Sequence, residues 1–459
     1  MLQCRSNLRI KCSANGAVGE VKLSLKKNLN VLLASASSGG TIAANRHLGA
    51  NGFDVRIVSS HRLGAAAWSR HATRAYSAPL ESESQQFLER LLALGASDPG
   101  QILLPTSDET AWLYTLNAAE LGRYFRVVQP SIAVLLNILD KKLFADAAIR
   151  AGLAVLPSWD PRNIDDVAAL APTLTYPILI KPRTHVHRLR NDKGVVVYSA
   201  RELIDQYRRF VNREQAGVAN DHLLRDANLP ILQQFVRVGG EGVRSVTGFV
   251  DRTGELFVTR CATKVFQRSQ PVGVGVCFES LPPDPALSGA VRRLCRELGY
   301  FGIFEVEFLW FDGHWAAIDF NPRLFNQVGM DIRRGMPLPL LGCLEAAGET
   351  GALREAVAEA QVEHDEQTVF YDRFTMRAIL FAQTMTAQIS NEDRAYWRAW
   401  TRQHAGHAVD FVADDSDPMP GVIHALSEIY LGLKSLPRFL HSTPDTSARR
   451  SNFVTKEPS

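Results

Sequence analysis

Long apolar runs are missing. No window of the 459-residue chain approaches the roughly 18 uninterrupted apolar residues of a membrane span, which excludes a transmembrane anchor and points to a soluble protein. Cysteine is scarce as well. Cys4, Cys12, Cys261, Cys277, Cys295 and Cys343 include no CxxC pair and no ligand-like spacing. That argues against a disulfide framework or a zinc site and for a reducing compartment, the cytoplasm. Nor does one charge dominate: 51 lysines and arginines face 48 aspartates and glutamates, a formal net charge of +3. No global field favours nucleic acid or an anionic membrane, so small molecules are the better partners. Residues 1–29 lack the continuous apolar stretch of a secretory signal. They carry Arg5, Arg9, Lys11, Lys22, Lys26 and Lys27 against one acid, Glu20, and read as a disordered basic extension, a composition shared with transit peptides.

What is present is apolar material, 46% of the chain, sufficient for about three domains. The first opens with NVLLASASSGGTIAANRHLGANGFDVRIVSS: a strand at Val31–Ala34, a Ser/Gly turn, a helix and a second strand at Asp54–Val58. This βαβ pattern implies a parallel sheet. Ile102–Leu104 and Val127–Val128 add strands, and Thr106-Ser107-Asp108-Glu109 has the Thr-x-x-Glu form of a capping box on a helix around Ala111–Leu121. A helix over Ser131–Ala151 follows. TYPILIKP then reads as a buried strand stopped by Pro182, with GVVVYS as its partner and a helix over Arg201–Asn212. From Pro230 the pattern turns to strands, until Leu287, Val291, Leu294 and Leu298 mark one face of an amphipathic helix. Beyond Pro339 the chain reads as helical and charged. The expected division is 1–29, 30–130, 131–236, 237–345, a mostly helical 346–442 and a solvated tail, 443–459.

The most informative stretch is GIFEVEFLWFDGHWAAIDFNPRLFNQV. Alternation places Phe304, Val306, Phe308 and Trp310 on one strand face and Glu305 and Glu307 on the other. On the returning strand Ile318 and Phe320 go inward while Asp319 and Asn321 join the glutamates. Hard oxygen donors without His or Cys suit Mg²⁺ or Mn²⁺, and Mg²⁺ commonly accompanies phosphate. Register tests this grouping. A strict two-residue turn at Asp312-Gly313 sets Glu307 against Ile318, whereas a longer connection or a bulge sets it against Asp319, the expected arrangement.

With Glu307 followed twelve positions later by Asp319 in IDFNPR, the sequence resembles the ATP-grasp superfamily, which includes biotin carboxylase, D-alanine ligase, carbamoyl phosphate synthase and many carboxylate–amine ligases. The resemblance covers about residues 30–345. It implies an α/β fold with an α+β lid: an N-terminal Rossmann-like pre-ATP-grasp domain, the ATP-grasp lid and metal-bearing core, and a C-terminal helical extension. It further implies that Glu307, Asp319 and Asn321 hold Mg²⁺ on ATP and that Arg323 steadies the transferring phosphoryl group. Asp319 stands where Glu is commoner. By the same resemblance Lys141 and Lys181 bind the phosphates, and Lys264 lies over the γ-phosphate. Gln233 and Gln234, with the backbone through Phe235 and Val236, read adenine, and Glu241 takes the ribose. One departure is the lid loop RTHVHRLRNDKG, basic where the family is glycine-rich. His185 and His187 lack a third ligand and are not read as a metal pair.

Arg268 is a substrate candidate that shares with Lys264 the position over the γ-phosphate, Arg333 and Arg334 are candidates for clamping the substrate carboxylate, and Ser38 and Gly39 for an anion nest before a helix. The resemblance implies an ATP- and Mg-dependent carboxylate–amine ligase acting on small molecules, with no nucleic-acid or membrane partner, and admits a homodimer. Two other readings stand beside it. A nucleotide-binding regulator without catalysis has little need of a paired metal site. A Rossmann reductase is disfavoured because SASSGGTIAAN is not GxGxxG and no acid follows at the ribose position.

Overall fold

Short apolar runs between turn signals become a parallel sheet at the start of the chain. In the computed structural model, which describes residues 6–14, 17–25, 29–187, 193–214, 222–224, 226–237, 242–268, 272–362, 367–386 and 388–441, its strands lie in the order Ala72–Ser77, Asp54–Ser59, Asn30–Leu33, Gln101–Leu103, Phe125–Val127. All are parallel. Alternate residues serve two cores: Val31 and Leu33 pack on one side, Leu32 and Ala34 on the other. Strand order reverses between Asn30–Leu33 and Gln101–Leu103, so the loops leaving these two strands frame a crevice of the kind in which open α/β sheets bind ligands.

The capping box after Gln101–Leu103 sits one residue later than expected. Ser107 Oγ accepts from the Thr110 N–H at 3.1 Å and Thr110 Oγ1 accepts from the Ser107 N–H at 2.9 Å. Glu109 is thereby left for another task. The helix they cap divides at Asn117 into Asp108–Leu116 and Ala118–Leu121.

The single helix expected over Ser131–Ala151 is two, Ile132–Leu139 and Lys141–Arg150. Asp140 makes the break with extended backbone (φ −84°, ψ 113°) and caps the second helix, its Oδ1 accepting from the N–H groups of Lys142 and Leu143 at 2.9 and 3.2 Å. The same carboxylate receives Arg183 at 3.4 Å. We expect Asp140→Ala to cost about 1–2 kcal/mol in chemical denaturation, and Asp140→Asn, which still caps, to recover most of it.

The next unit is a four-stranded antiparallel sheet in the order Val195–Val197, Ile178–Lys181, Ile231–Gln234, Ser158–Trp159. Ile178, Ile180 and Leu232 pack into a core of its own with Val167, Leu203, Tyr207 and Phe210 from the helices Ile164–Leu170 and Ala200–Glu214. The strand partnership expected of TYPILIKP and GVVVYS is present.

An eight-stranded mixed sheet completes the fold, in the order Ala408–Asp410, Val369–Tyr371, Val274–Leu281, Phe257–Arg268, Val243–Val250, Gly302–Phe311, His314–Asn321, Ala154–Val155. Two of these strands come from the region read as a helical extension. That region does carry the helices Thr350–Ala360, Arg373–Met385, Asn391–His404 and Met419–His441, but it also extends the central sheet. Asp417 ties it to the first unit, accepting from Arg46 Nε at 2.8 Å, Ser69 Oγ at 2.7 Å and the Arg70 N–H at 2.9 Å. Within the segment expected to be a disordered extension, Ser6–Ala14 and Ala17–Leu25 pair as an antiparallel hairpin. The tail expected at 443–459 lies outside the described residues. Among those described, no helix is long and apolar enough to cross a membrane, and Cys261, Cys277, Cys295 and Cys343 are free and buried.

Candidate active site

A cavity of about 730 Å³ lies where the three units meet. Its walls follow from strand alternation. On the lid, Leu179, Lys181 and Gln233 are the residues left over once Ile178, Ile180 and Leu232 enter the lid core, and all three line the cavity. On the central sheet, Phe304, Val306 and Phe308 face a buried core while Glu305, Glu307 and Leu309 face the cavity.

The hairpin register places Glu307 opposite Asp319 and Glu305 opposite Asn321. The turn has two residues, with Asp312 at φ 48° and Gly313 at φ 78°, and a bulge between Glu307 and Phe308 supplies the extra position. That residue is Ile318. It lines the cavity instead of entering the core as expected, and its carbonyl accepts from Lys181 Nζ at 2.9 Å. Trp310, also expected in the core, is 46% exposed and meets Trp315 edge-on.

Four lysines face these acids. Lys141 Nζ lies 3.3 Å from Asp319 Oδ1, and Lys264 Nζ reaches across the strand Val243–Val250 to Glu307 Oε1 at 3.0 Å. Lys181 and Lys193 add their fields. Burial opposes ionisation of Asp319, yet Lys141, Lys181 and Lys193 hold its carboxyl well below the usual range. Glu307 is likewise lowered: burial works against it, and Lys264 outweighs burial. Burial brings Lys181 down to about 8, whereas for Lys264 the pull of Glu307 outweighs burial and raises it. Glu305, buried beside Glu307, is pushed up to about 7.

Gln233, Gln234, Phe235 and Val236 all line the cavity. Gln233 Nε2 donates to Ser158 Oγ at 3.2 Å and Gln234 Nε2 to the Pro177 carbonyl at 3.2 Å. Glu241 falls outside the described residues. Arg323 joins two units: Nε donates to Asp108 Oδ1 at 2.9 Å, and a terminal nitrogen to Asn321 Oδ1 at 2.8 Å.

Neither Arg268 nor the Arg333–Arg334 pair lines the cavity. Arg268 pairs with Glu428 on the C-terminal helix, away from the cavity lining. Arg333 is exposed. Arg334 is buried under the central sheet, donating to the carbonyls of Cys261 and Leu281 at 2.9 and 3.0 Å. Ser38 does line the cavity, its Oγ 3.4 Å from Asn326 Oδ1. Gly39 does not: a Cβ at Gly39 would lie 2.8 Å from the Phe411 ring, and one at Gly40 2.4 Å from the Phe325 carbonyl. The glycines permit close packing of helix Gly39–Ala50.

Several cavity residues escaped the sequence reading. Glu81 lines the first-unit end, its Oε1 accepting from the Ser35 N–H and Oγ, each at 2.8 Å, and its Oε2 from Ser107 Oγ at 2.5 Å. Glu109 accepts from the His187 N–H at 2.6 Å. Tyr396 and Trp397 bring an aromatic wall from the C-terminal region. The loops' Ser-rich composition was the available signal for the first two, and nothing local marked the aromatic pair. Burial, reinforced by Glu81 and Asp108, raises Glu109 to about 8 despite the His187 bond. A carboxyl raised on folding costs stability as pH climbs from its unfolded value, near 4.5, to about 8. We therefore expect Glu109→Gln to match the wild type near pH 5 and to exceed it by about 2–4 kcal/mol at pH 8.5, measured by urea denaturation at both pH values.

The donor chemistry fits a hard divalent cation: two facing carboxylates and an amide oxygen, with no nitrogen or sulfur ligand. Among the described residues no group of three His, Cys, Asp or Glu side chains stands ready-made for a metal. Lys141 and Lys264 are paired with these carboxylates.

No protein-family model matches the chain, and no curated protein sequence does. Solved structures do. Biotin carboxylase from Campylobacter jejuni, in complex with β,γ-ATP, aligns at TM-score 0.55 and 15% identity over 74% of this chain and 74% of that one. L-amino acid ligase from Bacillus licheniformis aligns at 0.53 and 14% identity over 70% and 75%, respectively. N5-carboxyaminoimidazole synthetase from Staphylococcus aureus aligns at 0.52 and 13% identity over 70% and 78%. At these identities the likeness is one of fold. With its parallel-sheet unit, four-stranded sheet and eight-stranded central sheet, the chain has the ATP-grasp fold.

Proposed function

We propose that the protein is an ATP- and Mg²⁺-dependent ligase that joins a carboxylate to an amine. The observation that carries this reading is the pairing of Glu307 with Asp319 across two strands, with Lys181 and Lys264 in the same cavity and Lys141 ion-paired to Asp319 at 3.3 Å. The three solved structures include two ligases or synthetases by name and one complex with an ATP analogue, which supports it.

In this reading Gln233, Gln234 and the backbone of Phe235 and Val236 receive adenine, and Glu241 the ribose. Lys141 and Lys181 approach the triphosphate from separate elements and neutralise it. Bound Mg²⁺, held by Glu307, Asp319 and Asn321, supplies charge compensation at the phosphates. A substrate carboxylate oxygen attacks the γ-phosphorus and the bond to the β–γ bridging oxygen breaks, giving acyl phosphate and ADP. Arg323 and Lys264 steady the charge on the transferring group. The amine nitrogen then attacks the acyl carbon, phosphate departs and the nitrogen gives up its proton, leaving an amide. Activation is required because a carboxylate is a poor electrophile.

A screen for ADP release across pairs of carboxylates and amines, with Asp319→Ala as the blank, tests this. ADP that forms only with both substrates, and not in the blank, is the expected result. Tight ATP binding with no turnover for any pair points instead to a nucleotide-binding regulator.

A further inference from the structure

The hairpin carries an acid outside the expected metal set. Glu305 is 5% exposed and pairs directly across the strands with Asn321. Its carboxylate is engaged by three donors: Oε1 accepts from Ser245 Oγ at 3.0 Å and from Gln327 Nε2, and Oε2 accepts from Asn321 Nδ2 at 2.9 Å. On its other side, Asn321 Oδ1 receives Arg323 at 2.8 Å.

An asparagine amide has an NH₂ end that only donates and an oxygen end that only accepts. The Glu305 oxygens act as acceptors toward all three donors, so the side chain takes the NH₂ end and turns the amide oxygen away from itself. We propose that Glu305 is a positioning residue that locks the Asn321 amide with its oxygen, and never its NH₂, toward a divalent cation in the cavity. Ser245 and Gln327 complete the device. Arriving from the strand Val243–Val250 and from the segment after Arg323, they hold the Glu305 carboxylate back against Asn321. A reversed amide would present hydrogens where the cation needs a lone pair, and such outer partners set how well a ligand binds. The inference rests on the ligase reading of this site.

Two charge-exchanging substitutions test it, read as the gain in ADP affinity on adding excess Mg²⁺, by calorimetry on the full chain. Glu305→Gln alone offers the amide a donor and releases its orientation. Asn321→Asp alone sets two carboxylates face to face. Each should reduce the Mg²⁺-linked gain at least fivefold while metal-free ADP affinity stays within about twofold. Together they restore a donor–acceptor pair with an oxygen outward, and the gain should return to within about twofold of wild type. Asn321→Ala gives an independent arm, because adding Glu305→Gln to it should change the gain less than twofold. Unaffected single variants, a double variant no better than the worse single, or a further fivefold loss on the Asn321→Ala background each overturn the proposal alone. A wild-type protein whose ADP affinity ignores Mg²⁺ overturns the ligase reading together with it.

Discussion

Asp319→Asn should lower substrate-dependent ADP formation by 10³-fold or more, a barrier increase of about 4 kcal/mol. Asp319 is the acid on which the cations converge. It lies 3.3 Å from Lys141 and under the fields of Lys181 and Lys193, which keep it ionised despite burial. Asparagine leaves the shape nearly unchanged and removes the charge. A cation coordinated there would lose a carboxylate, and Lys141, itself buried, would lose its partner. Removing one member of a buried pair costs about 3–5 kcal/mol in stability, so a lower melting temperature should accompany the activity loss. The diagnostic result is the split between two nucleotide affinities. With their internal counter-ion gone, the lysines should bind metal-free ADP at least as well as before, while the Mg²⁺-linked gain disappears. Equal loss of both affinities would place Asp319 in the scaffold alone.

Arg323→Ala comes next, with an expected fall in turnover of about 10²–10³-fold, the usual worth of one preorganised donor at a developing charge. Burial would lower the guanidinium's proton affinity, but Asp108 more than reverses this. Its contacts to Asp108 at 2.9 Å and Asn321 at 2.8 Å belong to different units and, with the Leu324 carbonyl at 3.0 Å, fix the plane of the fork. Lysine has charge without that plane. Arg323→Lys should therefore stay within about tenfold of the alanine variant in kcat, with KM for ATP little changed. A lysine variant close to wild type would show that charge alone suffices.

The sheets were legible where alternation was strict. Glu307 and Asp319 could be grouped because Phe304, Val306, Phe308 and Phe320 leave their faces no choice, whereas Lys181 and Gln233 were singled out by the family resemblance. What escaped depends on partners distant in sequence or on single backbone dihedrals. Asp140 interrupts a helix whose apolar spacing runs through it, because its side chain caps the following turn and pairs with Arg183. Arg334 looked like a substrate clamp beside Arg333 until the carbonyls of Cys261 and Leu281 claimed it. Glu305 shared a face with Glu307 from the outset, but its role needs Ser245 and Gln327, which only the folded sheet brings to it. Three-residue strands such as Val369–Tyr371 carry too few alternations to stand out from the helices around them.

Those short strands bear on how far the chain can be trimmed. Val369–Tyr371 covers the flank of Val274–Leu281, and Ala408–Asp410 covers Val369–Tyr371 in turn. A chain cut before residue 369 would leave Val276, Cys277 and Phe278 on an open sheet margin able to recruit another molecule through backbone hydrogen bonds. The C-terminal region thus serves as a hem on the central sheet. Shortened versions of this protein that end before residue 369 should self-associate.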